Sequence, residues 1–149
     1  MKHEKAIEIL VRGVCVKEGR LLVCQGKGAA NTFLPGGHVE WQEKARDSLV
    51  REIREEMGCR AKVKEFFGAV EHTFIQKGER HCEINVVFGM DIPALHPDRD
   101  PEACEHWITF KWIPLSRLAQ NHLEPWPLRK LIPGWLRRGR HVERWGSTV

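Results

Sequence analysis

No stretch of this chain approaches the ~20 consecutive apolar residues that a membrane-spanning helix needs, so no membrane partner is expected. The opening MKHEKAIEIL places Glu4 and Glu8 where an export signal would need an unbroken apolar segment, which argues against secretion. No CxxC pair occurs. The cysteines Cys15, Cys24, Cys59, Cys82 and Cys104 are odd in number and scattered, which argues against a disulfide framework or a structural zinc. Four of them lie in apolar surroundings, where free cysteine behaves as a small buried hydrophobe. Internal repeats and low-complexity tracts are also missing. The expectation is a reduced, cytoplasmic protein.

What is present fits one soluble domain. The chain has 149 residues, 42% hydrophobic and 30% charged, and such a length buries roughly 68–70% of the unfolded surface. The formal net charge is +4, with the basic excess gathered late in LRRGRHVERW. From about residue 137 this reads as a solvated basic tail. A nucleic-acid patch is the less favoured reading, left open. Mild basicity also suits an enzyme of polyanions, because it speeds their encounter.

Along the chain, Ile7–Val16 and Leu21–Gln25 are rich in β-branched and apolar residues. With the turn Lys17-Glu18-Gly19-Arg20 they form a hairpin. Thr32-Phe33-Leu34 runs into Pro35-Gly36-Gly37, which is expected to break any regular element and let the backbone approach something closely. Glu43–Met57 is built of good helix formers, and Gly58 sits where a left-handed C-cap belongs. Ala61–Phe74 and His81–Ile92 read as long strands around Gln76-Lys77-Gly78-Glu79. His106–Ile113 is a further strand, Leu115–Gln120 a short helix, and Leu128–Leu136 a weak helix interrupted by Pro133-Gly134. Strands surround one strong helix, which makes the fold class α+β with a mixed sheet.

The informative segment is Gly37–Cys59, GHVEWQEKARDSLVREIREEMGC. On a helical wheel of about 100° per residue with Glu52 at zero, Glu55 falls near −60° and Glu56 near +40°. Leu49, Val50, Ile53 and Met57 fall between about 60° and 160°, an apolar stripe that fixes the helix against a sheet. Three carboxylates so close repel one another unless a positive group stands among them. Hard divalent cations take such oxygen ligands, magnesium together with substrate phosphates. The alternative is a solvated face neutralised by Lys44, Arg51 and Arg54 as i,i+3 or i,i+4 pairs. Periodicity leaves both open.

The spacing itself matches a known motif. Gly37, five residues, Glu43, seven residues, Arg51-Glu52-Ile53, one residue, Glu55-Glu56, one residue and Gly58-Cys59 fill every specified position of the Nudix box. Leu34-Pro35-Gly36 before it and Phe110–Leu115 after it are similar to the same family, so the resemblance spans most of Ile7–Leu131. It implies a mixed β-sheet sandwiched between helices (α/β/α), and hydrolysis of a diphosphate linkage in a nucleoside diphosphate-linked substrate. A nucleoside triphosphate, ADP-ribose or a nucleotide sugar would qualify. By motif position, Glu52, Glu55 and Glu56 would bind Mg2+ or Mn2+, with the Gly36 carbonyl as an extra ligand. Arg51 would hold a glutamate in place, Glu52 would be the first candidate for the general base, and Glu43 would brace the loop. Family members often carry glycine where this chain has Gln42, so the local turn is open.

Outside the box, Glu105 is the first candidate to complete the metal site, followed by Glu102 and Glu83. His72, His81 and His106 share no His-x-x-x-His spacing and read as packing or surface residues. Phe33, Trp107 and Trp126 are conceivable stacking partners for a base. Lys27 and Arg99 are loop charges that could meet phosphate. The rival readings are a nucleotide-sensing binding module of the same fold and an RNA 5'-end pyrophosphohydrolase. The substrate-contacting residues and the choice between monomer and homodimer stay open, because loops on a shared fold set specificity.

Overall fold

A computed structural model describes residues 5–137 and 142–149. In chain order the elements are β1 (Ile7–Val14), β2 (Val16–Lys17), β3 (Arg20–Gly26), β4 (Thr32–Phe33), β5 (Gly36–His38), α1 (Ala45–Met57), β6 (Lys62–Gln76) and β7 (Glu79–Asp91). They continue with β8 (Ile108–Pro114), a 3-10 turn at Leu115–Arg117, β9 (Leu123–Glu124), α2 (Leu128–Leu136) and β10 (Trp145–Ser147). None of the described helices is long and apolar enough to cross a membrane.

Two sheets result. The first runs β10-β6-β7-β1-β5 and is mixed: β1 and β7 are parallel, β6 and β7 antiparallel, β1 and β5 antiparallel. The second runs β2-β3-β4-β9, with β8 antiparallel to β3. The tight turns follow local chemistry. Glu18-Gly19 and Lys77-Gly78 both take positive φ at two successive residues, which matches the right-handed twist of the strands they join.

Period-two alternation sends neighbouring residues to opposite cores. Val11, Leu22 and Cys24 meet Leu49, Ile53 and Met57 of α1 on one side. Val14, Leu21 and Val23 meet Leu128, Leu131, Ile132 and Trp135 of α2 on the other. The helices therefore flank the strands on two faces, the α+β arrangement expected from the sequence.

Several elements depart from the sequence reading. Pro35-Gly36-Gly37 does not end regular structure, because Gly36–His38 pairs with β1 through Arg12↔Gly36, Val11↔Gly37 and Leu10↔His38. Only glycine fits at position 36: its φ is +142°, and a Cβ there would collide with the Val11 carbonyl. Helix α1 starts at Ala45, behind an extended Lys44 that gives no side-chain cap. Gln42 takes φ +61°, so the turn keeps a glycine-like conformation without glycine. The short helix expected over Leu115–Gln120 is only the 3-10 turn. Helix α2 runs unbroken through Pro133, because Leu128, Leu131, Ile132 and Trp135 hold its buried face.

The tail expected from about residue 137 is not a uniformly solvated extension. Residues 138–141 lie outside the described residues, but Trp145–Ser147 adds to β6 as a parallel strand. Of the cysteines, all unpaired, only Cys15 and Cys24 are buried. Cys59 is half-buried, and Cys82 and Cys104 are exposed on strand and loop surfaces.

Candidate active site

Helix α1 presents its polar edge to the loop that precedes it, and Arg51 is the hub there. Its guanidinium grips Glu43 with both Nε and Nη2 at 2.9 Å, a bidentate pair. Nη1 donates to Glu52 at 3.0 Å and to Glu55 at 3.3 Å. Nη2 also donates to the His38 carbonyl at 3.2 Å, which ties the helix to β5. Ser48 donates a further short hydrogen bond to Glu43. Arg51 first, then Ser48, holds the Glu43 carboxyl down at about 2, and Glu43 in turn holds the Arg51 pKa above its ordinary value. Glu43 thus clasps the loop to the first turns of α1, where an ordinary cap is missing.

The three glutamates of the acidic face do not share one environment. Glu55 is exposed, Glu52 is half-buried, and Glu56 lies at the edge of the apolar stripe with 7% exposure. The Glu52 carboxylate rests on the backbone of Gly37, where a Cβ would overlap it. Burial raises the Glu52 pKa, against the pull of Arg51. Burial, and then the charge of Glu52, pushes Glu56 up to about 8; Arg12 and the Gly36 N–H pull the other way. The Oε2 atom of Glu56 is buried without a hydrogen-bond partner. Such an orphaned carboxylate oxygen is costly unless a proton or a cation completes it.

That observation is the test of fit for a divalent cation. The donors around the orphan are hard oxygens of the kind magnesium and manganese take. Among the described residues, no three His, Cys, Asp or Glu side chains are already gathered around one point. Arg51 pairs with Glu52 at 3.0 Å and with Glu55 at 3.3 Å.

Gly36 approaches Glu56 through its N–H. Glu105 is half-buried and close enough for its charge to raise the Glu56 pKa, and the neighbouring Cys104 N–H donates to the Glu56 carbonyl at 2.7 Å. Glu102 is exposed, and Glu83 lies elsewhere, in a cavity on the sheet. Trp107 and Trp126 are 52% and 55% exposed and line no part of that cavity. Lys27 is a solvated loop residue, and the Arg99 carbonyl accepts from the Trp112 indole at 3.1 Å.

The cavity is the feature that the sequence reading missed. It has a volume of about 460 Å³, within the usual range for small-molecule sites, and opens beside Arg12 and Phe33. Its walls include His72, Phe74, Glu83 and Asn85 from β6 and β7. His72, read as a packing or surface residue, faces it. Burial lowers the His72 pKa, and its Nδ1 is 2.9 Å from the hydroxyl of Thr148, just past β10. His81 pairs instead with Glu8 at 3.3 Å, and His106 is exposed. The available signal was the polar pair Glu83 and Asn85 at alternate positions before the core residue Val87 on β7.

Arg12 joins cavity to helix. It pairs across the sheet with Gly36, donates to the Leu34 carbonyl at 3.1 Å, and acts electrostatically on both Glu52 and Glu56. The buried Glu56 with Glu52 on the glycine backbone, the Arg12 guanidinium beside them and the cavity beyond thus lie next to one another.

The NUDIX domain model matches residues 6–134, and the chain belongs to the Nudix family of hydrolases. An isopentenyl-diphosphate Delta-isomerase of Cereibacter sphaeroides is 31% identical over 95% of this chain and 83% of its own. An ADP-ribose pyrophosphatase of Methanocaldococcus jannaschii is 34% identical over 56% of this chain and 50% of its own. Among solved structures, the MutT protein of Methanosarcina mazei Go1 superposes with a TM-score of 0.69 at 23% identity, covering 94% of this chain and all of that one, a likeness in fold.

Proposed function

We propose that this chain hydrolyses a diphosphate linkage in a nucleoside diphosphate-linked substrate, using a divalent magnesium or manganese ion. The observation that carries the reading is the buried, unpartnered Glu56 Oε2 next to Glu52 on the Gly36-Gly37 backbone. Glu52 and Glu56 would hold the ion, with Glu55, Glu105 and the Gly36 carbonyl as further oxygen donors. When bound, the ion neutralises the diphosphate and makes a water more acidic.

The protein's own groups supply the remaining work. Glu52 takes the proton as water attacks phosphorus and the bridging P–O bond to the leaving phosphate breaks. Arg51 fixes Glu52 in orientation by the 3.0 Å hydrogen bond, while its bidentate grip on Glu43 keeps the guanidinium in place. Arg12 stands where the phosphate chain passes from the carboxylates to the cavity.

The relatives' names favour one rival. Those matching over most of the chain are called isomerases of isopentenyl diphosphate, a reaction that moves a double bond and leaves the diphosphate whole. A panel of nucleoside triphosphates, ADP-ribose, nucleotide sugars and isopentenyl diphosphate separates the two. Hydrolysis is expected with magnesium, is abolished by chelation and returns on adding metal. Dimethylallyl diphosphate without release of phosphate would overturn the hydrolytic reading, as would full turnover in excess chelator.

A further inference from the structure

We infer that the cavity on the first sheet takes the substrate's head group as a nucleobase carrying an exocyclic amino group, read by the Glu83 carboxylate. The inference rests on the diphosphohydrolase reading for where the phosphates lie, but the recognition is argued from the cavity itself.

Charge decides which end of the substrate can enter. Glu83 and Glu124 both line the cavity, and Arg12 is the cation in its wall. Glu124 is already paired to Arg129 at 2.9 Å. Arg12 lies at the end nearest Glu52 and Glu56, so a phosphate beyond it would face carboxylates. The part of the ligand in the cavity is therefore the uncharged part.

Shape narrows it to a planar ring. Phe33 lies on one side, with the Arg12 guanidinium 5.5 Å from its ring centroid. Phe74 stacks on both His72, at 5.1 Å and 21°, and His81, at 5.0 Å and 12°, and His72 and Phe74 line the same cavity. Aromatic faces of this kind hold heteroaromatic rings by offset stacking.

The hydrogen bonds then set the polarity. Asn85 is 1% exposed and locked at both ends. Its Oδ1 accepts from Arg12 Nε at 3.2 Å, so its amide nitrogen must point the other way and donates to Glu83 Oε2 at 3.2 Å. The guanidinium thereby fixes the rotamer of Glu83 through a neutral relay, and Oε1 remains for the ligand. Glu83 stands directly across from His72 in the β6–β7 register, which aims both residues at the same space. An ionised carboxylate only accepts hydrogen bonds. Cytosine, adenine and guanine bring an amino donor to such a group. Uracil and hypoxanthine carry a carbonyl oxygen at the equivalent ring position, which would face a carboxylate oxygen with no proton between them. A hydrogen bond to a charged group is worth about 1.5–3 kcal/mol, so the discrimination should be about 10-fold or more.

The test uses two pairs that differ at that one ring position: CTP with UTP, and ATP with ITP. The kcat/KM with magnesium is measured for each, and the affinities of the four monophosphates are measured by calorimetry. The expected result is a preference of about 10-fold or more for the amino member of at least one pair, shrinking to about threefold or less in Glu83→Gln, whose amide can donate as well as accept. Equal kinetics and equal binding within both pairs overturn the inference, as does a preference that Glu83→Gln leaves intact. Should Glu83→Gln fail to fold, Glu83→Asp, which withdraws the carboxylate from the cavity, is measured in its place and should lose the preference, and equal treatment of both members of each pair by the wild-type protein overturns the inference without any variant. Amino-selective binding without hydrolysis of any substrate would keep the inference and sink the diphosphohydrolase reading. Efficient hydrolysis blind to the amino group would do the reverse.

Discussion

Burial holds the His72 pKa below the ordinary histidine value. The Thr148 oxygen accepts the Thr73 N–H at 3.1 Å and lies 2.9 Å from His72 Nδ1, so its own proton is available for that nitrogen, an arrangement that would place the imidazole proton on Nε2. In linkage, a histidine depressed in the folded state binds fewer protons than in the unfolded chain. Its contribution to stability is complete above the unfolded value near 6.5 and is lost as pH falls through the lower folded value. Nitrogen-15 NMR should find His72 titrating below 6.5 as the Nε2–H tautomer, and a mixture of tautomers in Thr148→Val. A His72 that titrates normally, or a tautomer indifferent to Thr148, would contradict this arrangement.

At the scale of elements, helix α1 is two things at once: a packed face and an acidic edge. Ile53 is fully buried and packs against Val11, Leu22 and Cys24, so Ile53→Ala should cost roughly 2–5 kcal/mol in a denaturant melt. The folded fraction should keep its magnesium affinity, and a change below about 1 kcal/mol would mean that the helix face is not the anchor it is taken to be. This helix was legible in the sequence because everything that defines it is local: the 3.6-residue stripe, the box spacing and the αL Gly58. The wheel put three glutamates on one face but not at one depth, since depth depends on what packs beside Glu56. Strand β5 was hidden because Pro35-Gly36-Gly37 looks like a breaker, and its pairing to β1 is set by distant residues. Strand β10 was hidden in a basic segment, where pairing with the distant β6 and the docking of Gly146 against Leu131 and Pro127 give three residues a place. The cavity drew on β1, β4, β6 and β7, and no local pattern tells that His72 will lie opposite Glu83.

For the whole molecule, the two cores divide the labour. The α1 side carries the carboxylates, the α2 side floors the cavity through Leu128, and β1 runs between them with Arg12 facing both. The net charge of +4 would assist the approach of the polyanionic substrate proposed for this site. The central claim is that the buried acids of α1 are there for a cation and for the reaction, not for stability. It is tested most directly by replacing Glu52 and Glu56 singly with glutamine, then measuring each variant's melting temperature in chelator and its turnover with magnesium. Glutamine keeps the shape and removes a charge that is costly to bury, so both variants should melt at or above the wild-type temperature. Turnover should fall by about 10²–10⁴-fold. Variants that unfold while their remaining folded molecules stay fully active would show these carboxylates to be structural and the active site to lie elsewhere.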